Sequence, residues 1–260
     1  MIYFLSGLPR SGSTLLGSIL NQNPDVYVSP TSPLLDLLCF QNEALNKVKE
    51  QYTFDSVKQS ESIYNSLPKA FYQHIECPHI IDKHRAWARN VMPAKLHINT
   101  NPKVICTYRP VAEVVTSFLK LIDKDPNNFI DVALHKKHLS LTVENRAKEL
   151  WDGYISDPWQ SLQIGLQNYR SNLYFVLYDG LINKPHEALA GVYNFLDIEQ
   201  YAHTFNSINN SCTESKDAAW GLKDLHTIRP VLAKTSDDPK KVLGSKLCDY
   251  FAQFDIDIKV

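Results

Sequence analysis

The chain has 260 residues, 44% of them hydrophobic and 21% charged, enough apolar material for one large domain with a substantial core and too much for a disordered chain. Lys and Arg number 27 against 28 Asp and Glu, so no general electrostatic field draws a nucleic acid and any anion must be bound locally. Five cysteines lie far apart without a CxxC pair, which fits reduced thiols and a cytoplasmic setting, and the absence of a basic leader or a long apolar run predicts neither a signal peptide nor a membrane span.

Ile2 to Leu5 form an apolar strand. Gly7-Leu8-Pro9-Arg10-Ser11-Gly12-Ser13-Thr14 follows, and a helix begins with Leu15, Leu16, Ile19 and Leu20. Strand, glycine turn and helix start in that order gather backbone N–H groups and the positive end of a helix dipole at one point, an anion cradle. The spacing is that of a P-loop, except that Ser13 stands where the lysine of nucleoside triphosphatases belongs. That loss argues against triphosphate hydrolysis or kinase chemistry, while Arg10 brings a planar fork suited to phosphate or sulfate oxygens.

Asn23-Pro24-Asp25 is a turn and Val26 to Val28 a short strand, broken again by Ser29-Pro30-Thr31-Ser32-Pro33. Helices are predicted over 34–49 and 56–72, so that about 32–75 forms a helical insertion placed as a lid or substrate-facing layer. His79 to Ile81 is a strand ending in Asp82-Lys83, with a helix from Arg85 towards His97. Val104 to Tyr108 is a strand closed by Arg109-Pro110, with the proline at the first position of a helix carrying Val111, Val114, Val115, Phe118 and Ile122. His135 and His138 are spaced for one helix face and read as solvated surface. Asp157-Pro158 caps a helix with Trp159, Leu162, Leu166 and Tyr169. Leu173 to Tyr178 is a strand, Asn183 and Pro185 open a helix, 206–217 is a loop, and 239–251 is a last helix.

Strands alternating with amphipathic helices predict an α/β fold, a mainly parallel sheet covered on both faces, in a single domain over 1–260. Ligands of such sheets bind beyond the carboxyl ends of the strands, where Arg10, Lys83, Arg109 and Tyr178 fall. Arg109 and Ser117, roughly 12 Å apart along their helix, could hold one phosphate between them. The four tryptophans, Trp87, Trp151, Trp159 and Trp220, read as core or pocket walls, since no basic stripe accompanies them.

The segments PRSGSTLL, IDK, VICTYRPVAEVVTSF and FVLYDGLINKPHEALAGVYNFL, in this order, resemble the sulfotransferases that use 3′-phosphoadenosine 5′-phosphosulfate (PAPS), and are most similar to the tyrosylprotein branch. The resemblance implies a P-loop-like three-layer α/β/α fold. It also implies that Arg10, Ser11, Gly12, Ser13 and Thr14 hold the 5′-phosphosulfate, that Arg109 and Ser117 hold the 3′-phosphate, and that Tyr178 lies against the nucleotide. Lys83 takes the place of the lysine that stabilises charge on the bridging oxygen, as the chemistry of sulfuryl transfer also asks. The glutamate base of the tyrosylprotein branch falls at Thr31, which cannot serve. His84 is then the first candidate for the base, Asp36 the second and His226, in the segment 223–230, the third. No metal is required. The acceptor is a hydroxyl of a peptide tyrosine, a carbohydrate or a small alcohol or phenol. Two rivals stand beside this reading: a P-loop kinase or triphosphatase, and a nucleotide-binding protein without catalysis.

Overall fold

The computed structural model describes residues 1–51, 57–212, 221–222, 224–233 and 237–258. Five strands, β1 (Ile2–Gly7), β2 (Val26–Thr31), β3 (His79–Lys83), β4 (Val104–Tyr108) and β5 (Leu173–Leu177), form one sheet in the order β2-β3-β1-β4-β5, with every pairing parallel. Successive side chains of a strand face opposite ways, and both faces here are apolar. Tyr3, Leu5, Ile81, Ile105 and Val176 pack with α1 (Ser13–Leu20) and α10 (Pro185–Leu196). Phe4, Ile80, Val104, Cys106 and Phe175 pack on the other side with α5 (Val111–Ile122), α8 (Ser156–Tyr169) and α11 (Pro239–Ala252). The expected parallel sheet with helices on both faces is therefore found.

Between β2 and β3 lie α2 (Leu34–Gln51) and α3 (Val57–Phe71). Ser56, Trp220, Lys223 and the second half of the predicted 206–217 loop lie outside the described residues. Several local expectations need correction. β2 does not stop at Val28 but runs through Pro30 to Thr31, because β2 is an edge strand, where a missing N–H is tolerated, and its register shifts after Val28. The helix expected from Arg85 is instead a single 3₁₀ turn, Trp87–Arg89, followed by α4 (Val91–His97).

Pro110 stands just before α5 rather than inside it. Three helices are additional to those predicted: α6 (Phe129–Lys136), capped by the Asn128 side chain on the Asp131 N–H, α7 (Val143–Leu150), capped by Thr142 on the Asn145 N–H, and a short one opened by Tyr178. His135 is on α6, but His138 lies beyond it with φ 55°, so the two share no helix face. α7 continues through a π-helical turn, Trp151–Ile155, into α8, which leaves Asp157 inside a helical run and not at its cap. Tyr178 belongs to the next element, opening α9 (Tyr178–Asn183).

Candidate active site

β1 delivers the chain to the glycine loop. Gly7 has φ 139°, and a Cβ there would stand 2.3 Å from the Thr107 carbonyl oxygen, so the loop leaves the sheet against the backbone of β4. Arg10 (φ 58°) and Gly12 (φ 92°) are left-handed, a turn geometry that aims successive N–H groups inward. Gly12 caps α1 without a side-chain hydrogen bond, and the first turn of α1 points into a cavity of about 380 Å³. Gly12, Ser13 and Thr14 line that cavity. Ser11 does not: its buried hydroxyl donates to the Leu8 carbonyl at 2.6 Å and lies 2.7 Å from Thr107 Oγ1, bracing the loop from beneath.

The second anion-binding group arrives on β4 and α5. Arg109 is 4% exposed; its Nη1 donates to the Arg10 carbonyl at 3.3 Å, its Nε meets Glu113 Oε2 at 3.0 Å, and its guanidinium lies 4.3 Å over the Tyr178 ring. Arg10 in turn donates from Nε to Ser117 Oγ at 3.2 Å and from Nη1 to the Leu225 carbonyl. Loop, β4 end, α5 and β5 end are thus tied together by the groups expected to grip a nucleotide at two points. Arg10, Arg109, Ser117 and Tyr178 all line the same cavity.

Lys83, at the end of β3, lines it too and donates from Nζ to Thr14 Oγ1 at 3.3 Å. Its backbone is held on both sides, N–H to Ser29 Oγ at 2.9 Å and carbonyl from the Ser32 N–H at 2.8 Å. The neighbouring Asp82 faces the opposite way, fully buried, and accepts from Tyr72 Oη at 2.5 Å and Trp87 Nε1 at 2.6 Å. Burial pushes its carboxyl above the usual range, against the hydrogen bonds from Ser32, Tyr72 and Trp87.

The three base candidates are placed differently. His84 accepts the Ala86 N–H at Nδ1, 3.2 Å, and turns Nε2 to Asp36 Oδ2 at 3.6 Å. Burial pushes its imidazole below the ordinary value of 6.5, with Asp36 pulling the other way. Both ring nitrogens are thereby engaged, and neither His84 nor Asp36 lines the cavity, whereas His226 does. Thr31 also lines it.

Some lining residues were not singled out in the sequence. Arg85 lies on the cavity two positions beyond Lys83, in the turn that leaves β3 and is closed by the Trp87 N–H on the His84 carbonyl at 3.2 Å. Lys120 and Lys124 follow Ser117 at helical spacing, and Lys120 pairs with Asp237 at 2.7 Å. Arg229 comes from the late segment, which sequence periodicity could not position. Among the described residues no cluster of three or more His, Cys, Asp and Glu could hold a metal, and no helix is long and apolar enough to cross a membrane.

None of the curated proteins compared with the chain matches it. Among solved structures, the mouse sulfotransferase SULT7A1 complexed with PAP is 14% identical, aligned over 97% of this chain and 82% of that one with a TM-score of 0.54. The sulfotransferase domain of the Synechococcus PCC 7002 olefin synthase is 19% identical over 97% and 94%, with a TM-score of 0.48. At such identities the first of these shows a shared fold. The family model described as the sulfotransferase family matches residues 3–203, well over half the length, and the chain belongs to that family.

Proposed function

We propose that this sulfotransferase takes its sulfuryl group from PAPS and transfers it to a hydroxyl acceptor by in-line displacement. One observation carries the reading: the glycine loop and the Arg109/Ser117 pair open onto one cavity and are bridged by Arg10, so that a single nucleotide phosphorylated at both ends can span them. The 5′ arm belongs against Gly12, Ser13, Thr14 and the loop N–H groups, with Ser11 bracing them. The 3′-phosphate belongs between Arg109 and Ser117, with Tyr178 along the nucleotide. The shared fold with a sulfotransferase complexed with PAP supports the donor.

Transfer breaks the bond from sulfur to the bridging oxygen of the 5′-phosphate and forms one from sulfur to the acceptor oxygen. The electron pair of the broken bond stays on the departing 3′,5′-bisphosphate, where Lys83 and the loop N–H groups stabilise it. Of the three base candidates His226 is the one that lines the cavity, which makes it the first to test as acceptor of the proton. His84 and Asp36 support β3 from behind as a pair. Thr31 occupies the position of the tyrosylprotein glutamate, so carbohydrate and small alcohol or phenol stand beside peptide tyrosine as acceptor classes. We read α2 and α3 as a helical insertion within one domain, and the five free thiols support a cytoplasmic setting.

The test is calorimetry with 3′,5′-adenosine bisphosphate, ADP and 5′-AMP. Tight binding of the bisphosphate alone supports the reading. Equal binding of ADP, or magnesium-dependent ATP turnover, overturns it in favour of a kinase or triphosphatase, and bisphosphate binding without transfer to any acceptor leaves a nucleotide-binding protein.

A further inference from the structure

The strand order sets the groups of the carboxyl edge in a line. Tyr178 follows β5, Arg109 follows β4, the glycine loop follows β1, Lys83 ends β3 and Thr31 ends β2, and the order β2-β3-β1-β4-β5 makes these neighbours in turn. On the donor reading above, on which this inference rests, the bisphosphate takes the β5, β4 and β1 stretch and its sulfuryl end reaches Lys83. In-line displacement brings the acceptor oxygen from the side opposite the leaving group. The acceptor therefore enters over β3 and β2.

Arg85 follows Lys83 by two residues, in the turn that leaves β3. It lines the cavity with Lys83 and Thr31, and Thr31 pairs with Lys83 in the sheet register. Its backbone is fixed by the Ser6 hydroxyl, which donates to the Arg85 carbonyl at 2.6 Å, while the residue as a whole is exposed at the mouth of the cavity. A donor with two phosphates and a sulfuryl group carries about four negative charges, so an anionic acceptor meets repulsion as it approaches. A guanidinium lining the cavity on the Lys83 side offsets that repulsion and offers a fork matched to carboxylate, sulfate or phosphate. A neutral acceptor has no use for it.

We propose that Arg85 is the residue that selects the acceptor, and that the acceptor is a hydroxyl compound carrying an anionic group close to the hydroxyl that receives the sulfuryl group. The probes are 4-hydroxyphenylacetate, 4-hydroxyphenethyl alcohol and tyramine, one scaffold with an anionic, a neutral and a cationic substituent, together with glucuronate against glucose. Each is titrated into protein saturated with 3′,5′-adenosine bisphosphate and then assayed as an acceptor with PAPS. Charge-assisted pairing predicts a preference for the anionic member of roughly 10–100-fold in affinity and in kcat/KM.

Arg85→Gln should abolish most of that preference, acting through KM. Arg85→Lys should keep part of it, and Arg85→Glu should turn it towards tyramine. Bisphosphate affinity, measured on each variant, reports that the donor end is intact. The proposal is overturned if the unaltered protein shows no anionic preference in either series, or if Arg85→Gln weakens anionic and neutral members alike. Failure of the bisphosphate to bind the unaltered protein overturns instead the donor reading beneath it.

Discussion

The two ends of the cavity are built in different ways. At the proposed donor end the polar groups hold one another: Arg109 is buried under Tyr178 and bound to the Arg10 carbonyl, Ser11 is buried against Thr107, and Gly7 has no room for a side chain. At the proposed acceptor end Lys83 is pinned through its backbone, but Arg85 is exposed. A preorganised anion site suits a donor that never changes, because its dipoles are already oriented when charge develops. An exposed side chain in the turn after a strand can be exchanged without disturbing the sheet, which suits the partner that varies.

The largest effects should come from the groups assigned to the transfer step itself. His226→Ala is expected to lower kcat by roughly 10²–10⁴, while His84→Ala leaves kcat nearly unchanged; the reverse result in steady-state assays would return the base to the β3 side. Lys83→Ala should lower kcat by about 10²–10³ with far less change in bisphosphate affinity, read by single-turnover transfer and calorimetry.

Breaking the donor end alone is the next step down. Gly7→Ala drives a Cβ to 2.3 Å from the Thr107 carbonyl at φ 139°, and a cost of about 3 kcal/mol in denaturant unfolding is expected, with weakened bisphosphate binding. Arg109→Ala should reduce the preference for bisphosphate over 5′-AMP by roughly 10–100-fold. If 5′-AMP affinity fell equally, the 3′-phosphate would be held elsewhere.

The smallest effect concerns pH. Burial lowers the His84 and His203 imidazoles below 6.5, so the folded chain binds fewer protons than the unfolded one between those lowered values and 6.5. Their contribution to stability is complete above 6.5 and is lost as pH falls from there through the folded values. Melting temperature should therefore drop on mild acidification, and His203→Gln should flatten part of the drop.

The glycine loop and the elements that carry Arg109 and Ser117 to the cavity were legible in the chain because their signals are local. Glycine spacing, the β-branched run before Arg109 and the helical repeat from Val111 to Ile122 each depend on residues within one or two turns. α6 and α7 escaped because Asn128 and Thr142 look like loop residues until their caps are seen. Asp157-Pro158 misled because a proline near a helix start is locally acceptable, whereas the π-helical turn before it carries the helix through and sets Asp157 against Arg89 at 2.6 Å. His84 sits beside Lys83 in the sequence, yet β3 ends at Lys83 and the chain turns there, which sets His84 against Asp36 and Arg85 on the cavity.

The sequence by itself determined the glycine loop, the parallel α/β plan and the identity of the groups that can meet phosphate, since backbone preference and hydrophobic period are written in neighbouring residues. Only the tertiary structure decided which of those groups share a cavity. Arg10 reaches Ser117 and Leu225, far along the chain, and Lys83 reaches Thr14. Such contacts follow from the order in which five strands pair, and strand pairing is fixed by burial on both faces of the sheet, summed over the whole chain.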